Sequence, residues 1–177
     1  MKTIIAFSGS NSSRSINQHL IRLVAPLFTA AEVKVLDLRD FPAPMYGIDL
    51  EEAEGIPESM QQLMDEFRAS DGIVLSTPEH NGSMPAFLKN AIDWLSRIEK
   101  KPFLNKPMLL LSASPGARGA QSAFEHLNAI LPYRGAAIVA GHRVGSFFAK
   151  VEEGELHAEE KAQLIEVVRQ MEKAVLE

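Results

Sequence analysis

Five short apolar runs punctuate the chain, at residues 4–7, 33–36, 72–75, 108–111 and 136–139. Most are continuously apolar rather than alternating, the mark of strands covered on both faces, as in a parallel sheet. Between them lie amphipathic stretches with helical spacing. Residues 16–28 put Leu20, Leu23, Val24 and Leu27 on one face, and 57–69 do so with Met60, Leu63, Met64 and Phe67. Residues 85–98, 120–131 and 159–176 repeat the i, i+3, i+4 stripe. Strict alternation of strand and helix predicts parallel strands joined by right-handed crossovers, with helices on both faces. Five strands in 177 residues fit an α/β class, a flavodoxin-like doubly wound parallel sheet of order 2-1-3-4-5. That length suits about one domain, so residues 1–177 read as one unit. Residues 41–55, with Pro42 and Pro44, are the one long irregular stretch, either a surface flap or a plain long loop.

Composition removes several chemistries. There is no cysteine, which excludes disulfides, thiolate nucleophiles, zinc ribbons and protein-ligated iron–sulfur clusters. A net charge of −5 argues against nucleic acid, whose binding rests on Lys and Arg neutralising phosphates. No run approaches the roughly 20 apolar residues of a membrane span, and the apolar run after Lys2 is too short for a signal peptide. The expectation is a cytoplasmic protein without membrane insertion. His19, His126, His142 and His157 are scattered without metal-ligand spacing, so no metal site is expected. Trp94 reads as packing or a subunit contact, and Phe147-Phe148 as core or interface.

In a doubly wound sheet the ligand crevice lies at the carboxyl ends of strands, near the point where strand order reverses. Here that means the loops after the first, third and fourth strands. The first carries Ser10, Ser12, Ser13, Arg14, Ser15, Ile16 and Asn17 and opens a helix, whose free N–H groups suit a phosphate. It lacks both the Gly-x-Gly-x-x-Gly and the Gly-Lys-Ser/Thr patterns, so it is neither a Rossmann dinucleotide turn nor a P-loop. Four serines without a lysine suit a phosphate monoester, or else serve only as turn and cap residues. The second loop is Thr77-Pro78-Glu79-His80-Asn81-Gly82-Ser83. Asn81-Gly82 is a turn signal, and the exposed N–H groups of such a loop can bond a planar heterocycle. Glu79 and His80 read as an acid–base pair, or as a partner for loop N–H groups and a solvent-exposed imidazole. In the third loop, Ser112 to Gly119, Gly116 and Gly119 allow close backbone approach to a ligand, or simply shape the turn.

Gly9-Ser10-x-x-x-x-Ser15-x-Asn17, Pro78-Glu79-His80-Asn81-Gly82-Ser83-x-Pro85 and the following Leu88-Lys89-Asn90-Ala91-Ile92-Asp93-Trp94 resemble the NAD(P)H-dependent FMN reductase family, which includes quinone, azo and chromate reductases. The resemblance runs through nearly the whole chain. It implies that Ser10, Ser15, Ile16 and Asn17 hold the FMN phosphate. Backbone N–H groups of residues 78–83 would bind the isoalloxazine, and Ser114 and Gly116 would line its other side. It also implies a homodimer or homotetramer with the flavin near a subunit interface. Two positions depart from the family pattern. Ser12 stands where an Arg associated with phosphate contact is common, leaving Arg14 as its substitute and the choice between NADPH and NADH open. His80 stands where Tyr is usual, which alters the pocket wall.

The activity so implied is a ping-pong oxidoreductase. The nicotinamide stacks on the flavin and passes hydride to N5, then a quinone, free flavin, azo compound or metal oxyanion takes the electrons. The cofactor carries that chemistry, so no side chain need be an acid–base catalyst. The alternatives are a flavodoxin-type electron carrier and a non-catalytic flavodoxin-fold binding protein.

Overall fold

In the computed structural model, which describes residues 1–177, the alternating pattern becomes strands β1 (Lys2–Ser8), β2 (Ala31–Val35), β3 (Gly72–Thr77), β4 (Lys106–Ala113) and β5 (Ala136–Val144). They form one parallel sheet in the order β2-β1-β3-β4-β5. The helices are α1 (Ile16–Val24), α2 (Ile48–Glu54), α3 (Glu58–Ala69), α4 (Ala86–Ile98), α5 (Gln121–Ile130) and α6 (Ala158–Leu176). A two-stranded hairpin, β6 (Val151–Glu152) with β7 (Glu155–Leu156), precedes α6.

Alternation along each strand splits the interior into two cores. Ile5, Phe7, Leu75 and Leu110 face α3, α4 and α5, packing with Phe67, Leu88, Trp94 and Leu127. Ile4, Ala6, Val74 and Leu109 face α1 and α6, packing with Leu20, Ile21, Leu164 and Met171. Helix α6 sits very close to β3. A Cβ on Gly72 would lie 2.6 Å from Met171 Cε and 2.8 Å from Val175 Cγ2.

Three expectations need correction. The first helix stops at Val24, not residue 28, because Pro26 lacks an N–H and the chain tightens into a 3₁₀ turn over Ala25–Leu27. The fifth apolar run extends to Val144 as an edge strand, and the sheet leaves Ala137 and Val139 exposed instead of covering both sides. Residues 41–55 are neither flap nor plain loop. They carry α2 and are strapped onto α4: Asn90 Oδ1 accepts from Tyr46 N–H at 2.7 Å, and Asn90 Nδ2 donates to Pro44 O at 2.9 Å. Trp94 Nε1 donates to the same Pro44 carbonyl at 2.8 Å, and its ring is fully buried. Trp94 is therefore a packing residue.

No helix is long and apolar enough to cross a membrane.

Candidate functional site

The three loops meet at the carboxyl edge of the sheet. Ser10, Ser12, Arg14, Ser15, Ile16 and Asn17 of the first, Pro78 and Glu79 of the second, and Ser114 of the third line one cleft of about 340 Å³. Ala113, Pro115 and Phe148 complete its wall.

The first loop is built from its own serines. Ser8 Oγ accepts from Ser10 N–H, Ser10 Oγ from Ser12 N–H, and Ser12 Oγ from Arg14 N–H, each at 3.2 Å. This run of side-chain turns is local hydrogen bonding of the kind that favours Ser at loops and caps. Ser15 then caps α1, its Oγ accepting from Gln18 N–H at 3.1 Å. The next two N–H groups, of Ile16 and Asn17, make no hydrogen bond within the chain. They are the unpaired donors at the positive end of α1, aimed where the serine hydroxyls also gather. The serines thus cap and turn the loop; the hydroxyl hydrogens of Ser10 and Ser12 stay available to an acceptor, while the Ser8 and Ser15 hydroxyls lie 3.5 Å apart and share one hydrogen bond.

Asn17 differs from the others because its side chain is spent inside the protein. It is 1% exposed, with Nδ2 donating to Ala113 O at 3.0 Å. Its Oδ1 accepts from Ala113 N–H at 2.9 Å and from Ser76 Oγ at 2.7 Å. One amide therefore ties the start of α1 to the ends of β3 and β4, and fixes the floor of the cleft. Only its backbone N–H is left free at the cleft.

The second loop is a tight hairpin turn. His80 and Ser83 exchange both backbone hydrogen bonds, at 2.9 and 3.1 Å, around Asn81 (φ 51°) and Gly82 (φ 79°). Positive φ at both central positions is the type I′ geometry that Asn-Gly favours. The N–H groups of Glu79, Asn81 and Gly82 have no partner in the chain. The Glu79 carboxylate does not pair with His80. Its Oε2 accepts from Ser122 N–H at 2.8 Å and Ala123 N–H at 3.2 Å, capping α5. It is a structural partner for backbone N–H groups, but those of the first turn of α5 and not those of its own loop. His80 is exposed.

The structure divides this loop between two hollows. Pro78 and Glu79 face the three-loop cleft, whereas His80, Asn81 and Ser83 line an adjoining one of about 410 Å³ with Met84, Lys89 and His126. Gly82 lines neither and stands at the turn tip. His126, scattered in sequence, is brought to this second hollow, its Nδ1 2.8 Å from Ser83 Oγ.

The third loop is braced against the segment after β5. Ser114 N–H donates to Val144 O, and Phe147 and Ser146 N–H donate to the carbonyls of Ser114 and Gly116. Gly145 is required here, since a Cβ would fall 2.1 Å from Ala117 O. Gly116 is different: its φ is not positive and a Cβ would meet nothing within 4 Å. The fold places no demand on a glycine there, which leaves an open backbone edge beside the cleft wall. Gly116 itself does not line the cleft. Of the Phe147-Phe148 pair, Phe147 is buried and Phe148 stays 67% exposed on the cleft rim. Phe148 was not marked by any loop motif; an exposed aromatic beside a buried one shows itself only once β5 is placed.

These residues fit a phosphorylated planar cofactor. The lining offers hydroxyls, free N–H groups and the Arg14 guanidinium, donors suited to an anion, and its one carboxylate, that of Glu79, is turned onto α5. The relatives of the chain agree. Residues 2–150 match the family described as NADPH-dependent FMN reductase. A quinone reductase of Escherichia coli K12 is 36% identical over 138 residues, covering 77% of this chain and 72% of that protein. An NAD(P)H-dependent FMN reductase of Pseudomonas aeruginosa is 37% identical over 134 residues, covering 73% and 69%. Among solved structures, FerB, a flavoenzyme NAD(P)H:(acceptor) oxidoreductase from Paracoccus denitrificans, superposes with a TM-score of 0.80 at 28% identity, over 99% of this chain and 98% of that one. The chain belongs to the NADPH-dependent FMN reductase family.

Proposed function

We propose that the three-loop cleft is the FMN site of an oxidoreductase that moves electrons from NAD(P)H to small-molecule acceptors. The observation that carries this is the meeting of the serine-rich loop, the Pro78-Glu79 segment and Ser114 in one cleft at the carboxyl edge of the sheet. Bound FMN supplies two-electron redox chemistry that a chain without cysteine has no group of its own to perform.

The residues of the chain bind and orient. The Ile16 and Asn17 N–H groups, the hydroxyls of Ser10, Ser12 and Ser15, and the Arg14 guanidinium hold the phosphate. Within the cleft the free N–H of Glu79 and the Ser114 side would meet the ring system, and the free N–H groups of Asn81 and Gly82 and the open backbone of Gly116, which lie just outside the cleft lining, would meet whatever part of the ring extends beyond it. Asn17 and Glu79 act as positioning residues, locking the three loops to one another through β3, β4 and α5. Such fixed dipoles need no reorganisation during the reaction, which is how a rigid site lowers a barrier.

On this reading quinones, free flavin, azo compounds and metal oxyanions are the acceptor classes. The chain works as a single 1–177 domain in the cytoplasm, as a homodimer or homotetramer. Exposed Met45 and Ile48 on the strap offer apolar surface for a second copy. Anaerobic titration of the FMN-loaded protein with NADPH and NADH tests the activity. Loss of the oxidised flavin band, and its return on adding a quinone, supports the proposal. A protein that takes up no FMN, or whose flavin neither nicotinamide reduces, overturns it.

A further inference from the structure

The hollow beside the FMN cleft contains a serine–histidine pair joined across two elements, Ser83 from the second loop and His126 from α5. The hollow measures about 410 Å³, within the roughly 300–1,000 Å³ of small-molecule sites. Met84 and Ala86 give it an apolar side, and Ser83, His126, His80 and Lys89 a polar one. No carboxylate lines it. The acidic groups nearby are engaged elsewhere: Glu79 on α5, Asp93 on Lys89 at 2.6 and 2.8 Å, and Glu125 on Gln121 at 2.7 Å. The Ser83 hydroxyl has one partner, His126 Nδ1 at 2.8 Å. The His126 side chain is exposed, and its Nε2 bonds nothing in the chain.

As a brace this pair adds little. Glu79 already fixes the loop to α5 through two backbone N–H groups, and a hydrogen bond in contact with water contributes only a small net amount. As a proton path it is complete. With Nδ1 protonated, His126 donates to Ser83 Oγ, the serine hydrogen is free to point into the hollow, and Nε2 meets water. Acceptors differ in their need for such a path. Converting a quinone to a hydroquinone takes two electrons and two protons. A hydride equivalent brings both electrons and one proton, so the second oxygen is left as a phenolate that must gain one proton more.

We propose that this hollow receives the carbonyl end of a quinone, and that Ser83 delivers the second proton to its oxygen with His126 as the supplier. The Ser83 O–H bond breaks as the new O–H of the hydroquinone forms. Ser83 Oγ takes the Nδ1 proton of His126, and Nε2 takes one from water, so each transfer balances. Ser83 is the catalytic residue, because it touches the acceptor; His126 is a positioning residue that acts through it. In the same lining the Asn81 N–H has no partner and offers the phenolate a further donor. The inference rests on the FMN reading of the neighbouring cleft, which shares the second loop with this hollow.

The test follows reoxidation of the reduced, FMN-loaded protein by benzoquinone and by ferricyanide, which takes electrons without protons. His126→Gln and Ser83→Ala should each slow the quinone reaction about tenfold or more, and the double variant should be no slower than either alone. The ferricyanide rate of His126→Gln should match wild type, which a merely structural role would not allow. Ser83→Thr keeps the hydroxyl and should retain most of the quinone rate. A second readout needs no turnover. Nitrogen NMR of the oxidised FMN-loaded protein should show His126 protonated at Nδ1. That signal should move on adding phenol, a probe of the product hydroxyl, in wild type but not in Ser83→Ala. A quinone rate that His126→Gln leaves unchanged, equal losses with quinone and ferricyanide, or a His126 signal indifferent to phenol overturns the inference. Failure to hold FMN, or to reduce it with NADPH or NADH, would instead count against the FMN site itself, which flavin content and the reduction rate read separately.

Discussion

The Asn17 side chain closes a two-bond bridge with the backbone of Ala113, donating to its carbonyl at 3.0 Å and accepting from its N–H at 2.9 Å. This bridge makes two distant loops one structure. Asn17→Asp places a carboxylate oxygen against the Ala113 carbonyl in a fully buried position. We expect a loss of about 2–3 kcal/mol at neutral pH, with partial recovery in acid as the carboxyl protonates and can donate again. Urea denaturation at two pH values checks this, and FMN affinity should fall in parallel.

Glu79 is placed as a cap rather than as an acid–base group. Glu79→Ala should therefore cost about 1–2 kcal/mol by leaving two α5 N–H groups without an acceptor. Glu79→Gln keeps an acceptor oxygen. General acid–base groups contribute about 10²–10⁴-fold, so a turnover loss smaller than about tenfold in Glu79→Gln separates the roles.

Gly116 and Gly82 should respond oppositely to alanine. At Gly82, with φ 79°, alanine strains the turn and is expected to cost about 1 kcal/mol. At Gly116 a Cβ meets nothing, so stability should stay within about 0.5 kcal/mol. A bulkier Gly116→Val should leave thermal unfolding of the flavin-free protein unchanged while weakening FMN binding.

Much of this was legible in the sequence because the signals are local. Continuous apolar runs marked the sheet, and Ser, Gly and Asn-Gly marked the loops that its topology then gathers. What escaped was long-range. Residues 41–55 look irregular until Asn90 and Trp94 are placed beside Pro44, which turns the segment into a strap. The exposure of Phe148 also depends on which strand lies next to which. Asn17 falls within the phosphate-loop motif, yet its amide serves the protein, because a buried side chain must satisfy its own polar atoms first.

The α6 anchor should show in the acid limb of stability. Glu160 is 3% exposed and meets Lys150 Nζ at 2.6 Å and His142 Nε2 at 2.7 Å. Burial pushes its carboxyl pKa up, but hydrogen bonds from Lys150 and His142 outweigh burial and hold it below the ordinary value of 4.5. A carboxyl whose pKa is lower in the folded state stabilises the fold above its unfolded pKa. That contribution is lost as pH falls through the folded value. Glu160→Gln should cost about 1–3 kcal/mol at neutral pH and flatten the loss below pH 4.5. Denaturation midpoints measured against pH in both proteins check it.

The central claim is that the first loop and the α1 N-terminus hold the phosphate of FMN. The most direct measurement compares FMN with riboflavin, which lacks that phosphate, by fluorescence titration of the flavin-free protein. A phosphate held by several N–H and hydroxyl donors should make FMN bind about 10²-fold tighter or more, and Arg14→Ala with Ser15→Ala should erase most of that gap. Equal affinity for FMN and riboflavin in the wild-type protein would contradict the account.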